Sequence, residues 1–447
     1  LYRHRRLRRH RRQLRRHRHR RLANAARGGG GDGDGGAHDA EAREAAAIEV
    51  DAAALPDEVC CDAAPAGLTP PCVWGDGHTV LLTGATGFLG AFLLYELLEQ
   101  SAARVCCIVR AKNQDAALAR LAECASGHGA YHEAIADESR VRVVLGDLAQ
   151  PHLGVSDEMW AVLGQHVDAI YHCGSLVHFG YPYSALRDAN VLGTVEMLKL
   201  ACTPGRPKRF HYISSLSVFG ASSDTIGSET APLPPLSEVH GGYSQSKWVS
   251  ERLCALAAER GVPVCVHRPG RIVGHSATGA CNTDDFLFRM LKGCVQLQCY
   301  PAFNWVERAA PVDFVSGAIV AVSMQPHCEE HYAYHQVHDV GFKWTDLFEW
   351  TAMTGYSLER VTLDVWVGRL EAERDAGESS NAMLPLLPLL KEVGLEADVP
   401  LFSCENTVAA LRETAIRCAP MSQPLWGRFV DSMQRQEYLP LPAAKPR

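Results

Sequence analysis

The chain has 447 residues, of which 47% are apolar, and its formal net charge is −7. This composition can fill a large core, and no apolar run approaches the roughly 18 residues of a membrane span, so we expect no membrane segment. The 16 cysteines are scattered without a Cys-x-x-Cys pair, which argues against a disulfide framework. We therefore expect a cytoplasmic protein with reduced thiols.

The chain begins with a low-complexity region. Residues 1–21 hold twelve arginines and no acidic residue, and Gly-rich and Ala/Glu-rich stretches follow. Without those arginines, 32 basic side chains face 51 acidic ones, a net charge of about −19. Because few apolar side chains are present, we expect residues 1–47 to be disordered. Residues 48–76 lie between this region and the first clear pattern, and we expect them to form a linker. An arginine block attracts phosphates by charge alone, but it lacks interleaved aromatic residues here, and we expect no nucleic-acid partner.

The first segment with a clear pattern is HTVLLTGATGFLGAFLLYELLEQ, residues 78–100. It predicts an apolar strand, a turn containing Gly84, Gly87 and Gly90, and a helix. Such a turn lets a pyrophosphate approach the backbone, and the helix directs its N-terminal amides at the phosphates. A glycine triad alone is weak evidence, but its place between a strand and a helix predicts a dinucleotide site.

The second predicted strand, residues 103–110, ends where a dinucleotide fold reads the adenosine ribose. NAD enzymes usually have an acidic residue there, whereas this chain has Arg110, with Arg120 further along the next helix. A guanidinium suits a 2′-phosphate, so the sequence favours NADPH. Asp147, near the end of the third predicted strand, is placed to meet the adenine.

Apolar strands continue to alternate with helical segments up to Gly270. They are predicted at residues 140–148, 167–175, 208–215 and 262–270. This alternation indicates an α/β fold, a Rossmann-type doubly wound parallel sheet covered on both faces. We expect an NADP-binding domain at residues 77–270 and a smaller C-terminal substrate lobe at residues 271–447.

A tyrosine and a lysine stand four positions apart in the predicted helix GGYSQSKWVSERL. Tyr243 and Lys247 share one helix face, and a nearby ammonium stabilises tyrosinate, which predicts a lowered pKa for Tyr243. This pKa would make the phenol a useful proton donor. The spacing is common on ordinary helices, but the glycine turn and the hydroxyl cluster YISSLS precede it in the order that a reductase needs. We predict Ser215, Tyr243 and Lys247 as the catalytic set.

Two further patterns are weighed against this set. His327, His331 and His335 have metal-like spacing, but the segment alternates as a strand, which separates the imidazoles, so we expect no metal. Asn190 is interpreted as a residue that pins a helix to a loop and does not touch substrate.

From about Thr79 to Tyr438 the chain resembles the extended short-chain dehydrogenases/reductases. Within that superfamily it is most similar to the thioester reductase domains of nonribosomal peptide synthetases, carboxylic acid reductases and fungal aminoadipate reductases. The glycine and Tyr-x-x-x-Lys motifs specify only the superfamily. The narrower resemblance rests on GGYSQSKWVSE, PVDFV and the tail WTDLFEWTAMTGYSLERVTLDVW.

The resemblance implies that NADPH reduces an acyl thioester, held on the phosphopantetheine arm of a carrier domain, to an aldehyde. A second reduction to the alcohol is left open, as is whether the carrier lies upstream in a longer protein or acts in trans. Ser215 and Tyr243 would hold the carbonyl oxygen, and Lys247 would hold the nicotinamide ribose. The expected cofactor contacts are Gly84, Thr86, Gly87, Phe88, Leu89, Gly90, Arg110, Arg120, Asp147, Leu148, Cys173, Gly174, Ser175, Tyr243, Lys247, Pro269 and Ile272.

The chain departs from the family pattern near the nicotinamide. Ser215 stands where a Thr is usual, residues 173–175 read Cys-Gly-Ser in place of Asn-Ala-Ala, and His178 replaces an Asn. These differences concern substrate fit more than chemistry.

Other functions stay open at this stage. One alternative is a fatty acyl-CoA reductase, or a relative that acts on a free small molecule such as a nucleotide sugar. Another is an NADP-sensing protein without activity, which the intact catalytic set argues against. Arg289 and Lys292, three positions apart on a predicted helix, are candidates for carrier docking, although an ordinary solvated helix face explains them equally well.

Overall fold

A computed structural model of the chain describes residues 35–61, 74–178, 180–203, 208–220, 226–302, 305–326, 328–377, 380–387 and 401–442, with side chains from residue 42 onward. The chain divides into two units, Leu1–Ala47 and Ile48–Arg447. In the first unit, residues 35–47 are helical, so the predicted disorder differs from the structure there. Alanine and glutamate dominate this stretch, and their high helix propensity explains the difference. The arginine-rich residues 1–34 lie outside the described residues.

The strands follow the predicted segments closely in the first half of the chain. In chain order they are β1 (Thr79–Thr83), β2 (Arg104–Val109), β3 (Val141–Leu145), β4 (Ala169–His172), β5 (Arg209–Ile213), β6 (Val264–Pro269), β7 (Arg271–Val273), β8 (Cys299–Pro301), β9 (Val306–Glu307), β10 (Ala309–Pro311), β11 (Ala333–Gln336), β12 (Phe342–Lys343) and β13 (Glu359–Val361).

The helices lie between these strands. They are α1 (Gly35–Ala53), α2 (Phe88–Gln100), α3 (Gln114–Gly127), α4 (Asp157–His166), α5 (Tyr183–Arg187), α6 (Gly193–Ala201), α7 (Gly242–Glu259), α8 (Phe286–Leu297), α9 (Val312–Ser323), α10 (Trp344–Met353), α11 (Leu363–Asp375), α12 (Glu405–Ala410) and α13 (Gln423–Arg435). A search of the described helices finds none with the length and apolar content needed to cross a bilayer.

The central sheet has the strand order β11-β6-β5-β4-β1-β2-β3, and all its pairings are parallel. The chain adds strands in one direction from β1 to β3 and in the other direction from β4 to β6. The order therefore reverses between β1 and β4, which confirms the predicted Rossmann-type doubly wound fold. Ligands bind beyond the carboxyl ends of the strands at such a reversal.

Buried apolar side chains cover both faces of this sheet. One cluster joins the sheet to α6 and α7, and a second joins it to α2 and α9. A third cluster lies in the C-terminal lobe and contains the buried tryptophans Trp344, Trp366 and Trp426. The chain returns from this lobe to the sheet through α9 and β11. Segments after Gly270 therefore belong to the sheet as well as to the lobe, and the predicted boundary follows the order of the sequence and not the packing of the sheet.

The predicted linker has a packed part. Ile48, Ala52, Leu55 and Val59 are at most 5% exposed and belong to the same cluster as α7. Arg260, at the end of α7, donates hydrogen bonds to backbone carbonyls of this segment. Residues 48–61 therefore extend the folded unit toward the N-terminus of the chain.

Candidate active site

The glycine turn lies at the point where the strand order reverses. Gly84 follows β1 with φ of +77°, and a Cβ there would lie 2.7 Å from Cα of Gly174. A Cβ at Gly90, in the first turn of α2, would lie 1.9 Å from the carbonyl oxygen of Gly84. Only glycine allows this close passage of β1, the loop after β4 and α2, which leaves the amides at the start of α2 open to a ligand.

A cavity of about 910 Å³ extends from this turn to the C-terminal lobe. It brings together all the residues that the sequence predicts for the site. They are Gly84, Thr86, Gly87, Phe88, Leu89, Gly90, Arg110, Arg120, Asp147, Leu148, Cys173, Gly174, Ser175, Ser215, Tyr243, Lys247, Pro269 and Ile272. The individual roles of these residues remain predictions.

The three predicted catalytic residues reach the cavity from two neighbouring elements. Ser215 follows β5 and begins a short 3-10 turn, where its Oγ accepts a hydrogen bond from the backbone N–H of Ser217 at 3.2 Å. Tyr243 and Lys247 lie in the first turns of α7. Nζ of Lys247 donates to the carbonyl oxygen of Ile213 at 2.8 Å, which fixes the ammonium beside the end of β5.

Burial controls the protonation of this pair. It lowers the pKa of Lys247 to about 8. It raises the pKa of Tyr243 above its ordinary value, and the nearby thiol of Cys173 adds to this effect. The predicted lowering of the Tyr243 pKa is therefore wrong for this structure, because burial removes the phenol from solvent and disfavours tyrosinate. Tyr243 is a neutral phenol at neutral pH, which is the form that can donate a proton.

The loop after β4 is held in place by a chain of buried hydrogen bonds. Oγ1 of Thr83 accepts from the backbone N–H of Gly174 at 2.9 Å and lies 2.8 Å from Nδ1 of His172. Nε2 of His172 lies 3.1 Å from Oγ1 of Thr194, which itself donates to Asn190. These contacts assign the proton of His172 to Nε2. Burial lowers the pKa of His172 to about 3, so the imidazole is neutral. It links Thr83 to Thr194 by hydrogen bonds.

Asn190 acts as the sequence interpretation expected. Its Oδ1 accepts from the backbone N–H of Leu176 at 2.7 Å, and its Nδ2 donates to the carbonyl of Leu176 at 3.1 Å. Nδ2 also lies 3.0 Å from Oγ of Ser246 in α7. Asn190 therefore ties the loop that lines the cavity to the helix that carries Tyr243 and Lys247.

The donors around the cavity fit a dinucleotide. Arg110 and Arg120 lie together at the end of β2, where Arg120 donates to the carbonyl oxygen of Arg110 at 2.6 Å. Within the part of the chain that the structure describes, Oγ of Ser175 and Oγ of Ser217 are buried without a hydrogen-bond partner. Both serines line the cavity, so the two hydroxyls are suited to bind a polar ligand there.

Sequence patterns missed several residues of the cavity. Ser217 belongs to the cluster YISSLS and was overlooked because Ser215 took the expected position. Trp305, Arg308 and Phe402 line the opposite wall and come from the C-terminal half of the chain. No local motif marks these three residues, and only the tertiary fold brings them to the site.

The predicted docking pair has contacts within the chain. Arg289 makes an exposed ion pair with Asp284 at 3.1 Å, and Nζ of Lys292 lies 4.2 Å from the ring centre of Tyr438. Of the three metal-like histidines, two fall within the described residues, His331 and His335. His335 is buried between Arg268 and the carbonyl of Ser403, and His327 lies outside the described residues.

The parallel sheet, the glycine turn at its reversal and the Ser-Tyr-Lys set beside it define an extended short-chain dehydrogenase/reductase. Residues 82–319, more than half of the chain, match the model of an NAD-binding family described as male sterility protein. The terminal R domain of the myxalamid PKS-NRPS biosynthetic pathway superposes with a TM-score of 0.81 at 38% identity, and the match covers 89% of this chain and all of that domain. The chain belongs to this NAD-binding reductase family, together with terminal R domains of this kind.

Two curated relatives are much longer than this chain. A linear gramicidin synthase subunit of Brevibacillus parabrevis is 36% identical over 394 residues, which are 87% of this chain and 8% of that protein. L-2-aminoadipate reductase of Saccharomyces cerevisiae is 39% identical over 355 residues, which are 75% of this chain and 25% of that protein. The reductase (R) domain of a nonribosomal peptide synthetase from Mycobacterium tuberculosis superposes with a TM-score of 0.70 at 27% identity, covering 88% of this chain and 96% of that one. The chain is an oxidoreductase that binds a nicotinamide cofactor, and it spans only a small part of the curated relatives.

Proposed function

We propose that the protein reduces an acyl thioester, carried on a phosphopantetheine arm, to an aldehyde. The observation that carries this proposal is the single cavity that joins the cofactor turn, the Ser-Tyr-Lys set and the C-terminal lobe. The match to the full length of a terminal R domain supports the same reaction. A long cavity with one end at the cofactor suits a substrate that enters on a flexible arm.

The expected cofactor is NADPH. Arg110 and Arg120 line the cavity at the end of β2, and two guanidinium groups suit a 2′-phosphate. The described residues at the end of this strand offer no carboxylate in the position where NAD enzymes usually bind the ribose hydroxyls. Asp147, which also lines the cavity, would contact the adenine.

Ser215, Tyr243 and Lys247 have separate roles in the proposed reduction. The bound nicotinamide supplies a hydride for the thioester carbonyl carbon. Ser215 and Tyr243 hold the carbonyl oxygen, and the neutral phenol of Tyr243 transfers its proton as negative charge develops on that oxygen. Lys247 holds the ribose and carries a positive charge below about pH 8, which helps Tyr243 to release the proton. The C–S bond of the resulting thiohemiacetal then breaks, its hydroxyl proton passes to the departing thiolate, and the products are the aldehyde and the free thiol of the phosphopantetheine arm.

A carrier domain is the expected partner, in trans or as part of a longer protein. The relatives include a linear gramicidin synthase subunit and an aminoadipate reductase, and these proteins are the basis for this expectation. We also propose a cytoplasmic location, since a reducing compartment keeps the described cysteines as free thiols.

The direct test is NADPH oxidation followed at 340 nm with matched acyl-CoA, acyl-pantetheine and acyl-carrier thioesters, with aldehyde trapped as its oxime. The proposal expects carrier-bound substrate to be consumed fastest, with one aldehyde formed per NADPH oxidised. Tyr243→Phe is the control for background thioester breakdown.

A fatty acyl-CoA reductase is the second candidate, since the cavity wall also includes apolar side chains such as Leu176, Val177 and Phe402. Faster turnover of long-chain acyl-CoA than of any carrier-bound acyl group would support that candidate and overturn the first. Consumption of two NADPH per thioester would extend the reaction to the alcohol.

A further inference from the structure

A second group of reactive side chains lies outside the catalytic cavity, on the face of the sheet that α9 covers. His211 comes from β5, Cys265 and His267 from β6, and Cys328 from the segment before β11. All four are at most 2% exposed. His211 and Cys265 are directly paired across the two strands, and none of the four residues lines the cavity of the active site.

The donor atoms of three of these residues lie close enough together to hold a metal ion. Donor atoms of His211, Cys265 and Cys328 all lie within 4.8 Å of one another. Nε2 of His267 lies 3.5 Å from Sγ of Cys265 and 3.4 Å from Nδ1 of His211. Ligand atoms around a tetrahedral zinc ion, at ordinary Zn–N and Zn–S lengths, stand about 3.3–3.8 Å apart. The two nitrogen distances fall within this range without any movement.

Hydrogen bonding alone leaves this cluster unsatisfied. Among the described residues, three side-chain atoms in or beside this cluster are buried without a hydrogen-bond partner. They are Nε2 of His211, Nε of Arg209 and Oε1 of Gln336. A buried polar group without a partner destabilises the fold. Nδ1 of His211, which lies 3.4 Å from Nε2 of His267, is the nitrogen that would bind the ion, and Nε2 would then carry the proton.

The amide of Gln336 supports His267 as a ligand. Its Nε2 lies 3.4 Å from Nδ1 of His267, while its Oε1 has no partner. Exchange of the amide oxygen and nitrogen, which have nearly the same shape, lets Oε1 accept a proton from Nδ1. This leaves Nε2 of His267 unprotonated and directed at Cys265 and His211. Such an outer hydrogen bond is the usual way to orient a metal-bound histidine.

The surrounding charges balance. Nη1 of Arg209 donates to Sγ of Cys328 at 3.6 Å, and Nη2 lies 3.8 Å from Glu329. Two thiolates neutralise a divalent ion, and Glu329 offsets Arg209. Coordination requires the neutral imidazole of His267. The assembled site would place no net charge in the core.

We propose that His211, Cys265, His267 and Cys328 bind one structural zinc-class divalent ion. The ion joins β5, β6 and the segment before β11 at one edge of the sheet. The carbonyl oxygen of His267 accepts from the backbone N–H of Ser214 at 2.7 Å, so the ion also stiffens the strand end that carries Ser215. The proposal does not depend on the proposed reaction, since it concerns the stability and metal content of the chain.

The test measures metal in the full chain without an affinity tag, after dialysis against metal-free buffer. The proposal expects about one zinc per chain in the wild type and less than about a tenth in Cys265→Ala/Cys328→Ala. Cys107→Ala is the matched control, because Cys107 is a fully buried thiol of the same sheet outside the cluster; it should keep the metal. Histidines in residues 1–21 are present in all three proteins, so metal bound there would remain in the double variant.

Cobalt gives a second measurement if the double variant fails to fold. Cobalt chloride added to the metal-depleted wild type should produce the strong visible and near-ultraviolet bands of tetrahedral Co²⁺ bound to thiolate, and a chelator should lower the melting temperature of the wild type. Weak octahedral cobalt bands, or zinc retained equally by the double variant, would mean an adventitious ion only and overturn the site. Absence of metal from the wild type, before and after incubation with zinc chloride, would overturn it as well.

Discussion

The buried charge of Lys247 should make the fold less stable at neutral than at alkaline pH. The side chain is 3% exposed, and burial lowers its pKa from 10.5 to about 8. The unfolded chain therefore binds more protons than the folded chain between these values, and stability rises as pH increases through this window. The full pKa shift corresponds to about 3 kcal/mol in the free energy of unfolding. Of this, about 1 kcal/mol is gained between pH 7 and pH 9.

The assay is urea unfolding of the nucleotide-free chain, followed by tryptophan fluorescence at pH 7 and pH 9, for the wild type and for Lys247→Met. Methionine removes the titrating group and keeps most of the volume. It also leaves the carbonyl of Ile213 without its donor, so the comparison concerns pH dependence and not absolute stability. Between the two pH values, the wild type should gain about 1 kcal/mol relative to the variant.

Lys112→Met is the matched control, because Lys112 is an exposed lysine outside α7. Its free energy of unfolding should follow that of the wild type across the same pH range. If Lys247→Met also follows the wild type within error, Lys247 does not carry a buried charge in the folded state, and the reasoning is refuted.

Three further predictions concern cofactor, chemistry and partner. Arg110→Ala should weaken NADPH binding by about 1–3 kcal/mol and leave NADH binding nearly unchanged, measured by fluorescence titration; equal losses would contradict the 2′-phosphate contact. Tyr243→Phe should lower kcat by about 10²–10⁴-fold with little change in NADPH affinity, and wild-type turnover would exclude Tyr243 as the proton donor. Arg289→Glu with Lys292→Glu should slow carrier-bound substrate in a salt-dependent manner but spare a short acyl-pantetheine; equal slowing of both substrates would indicate a role in shaping the pocket.

The cofactor half of the site was predictable because its signals are local. The glycine turn, Arg110 and the Tyr243–Lys247 pair each lie within a strand, a turn or a helix whose pattern fixes their position. The opposite wall of the cavity was not predictable, because Trp305 and Phe402 come from separate segments that meet only in the tertiary fold. The Tyr243 pKa was predicted in the wrong direction because the sequence shows the neighbouring charge and not the loss of solvent.

A buried ion pair lies beside the strand end that carries Ser215, the predicted catalytic serine. Glu251, about one turn after Lys247 in α7, accepts from Arg268 of β6 at 2.8 Å, and both side chains are at most 2% exposed. Glu251 also accepts from Oγ of Ser214 at 2.6 Å. This contact fixes the hydroxyl of Ser214, next to Ser215 at the end of β5. Both serines line the cavity.

Arg268 also connects α7 to the opposite wall of the cavity, which contains Phe402. Arg268 lies 3.2 Å from Nε2 of His335, and Nδ1 of His335 donates to the carbonyl of Ser403 at 2.8 Å. Phe402, next to Ser403, packs beside His335 and lines the cavity. Removing one partner from a buried pair costs about 3–5 kcal/mol, so this connection resists change. Phe402 on the cavity wall and α7, the helix that carries Tyr243, are therefore joined by one buried network of side chains.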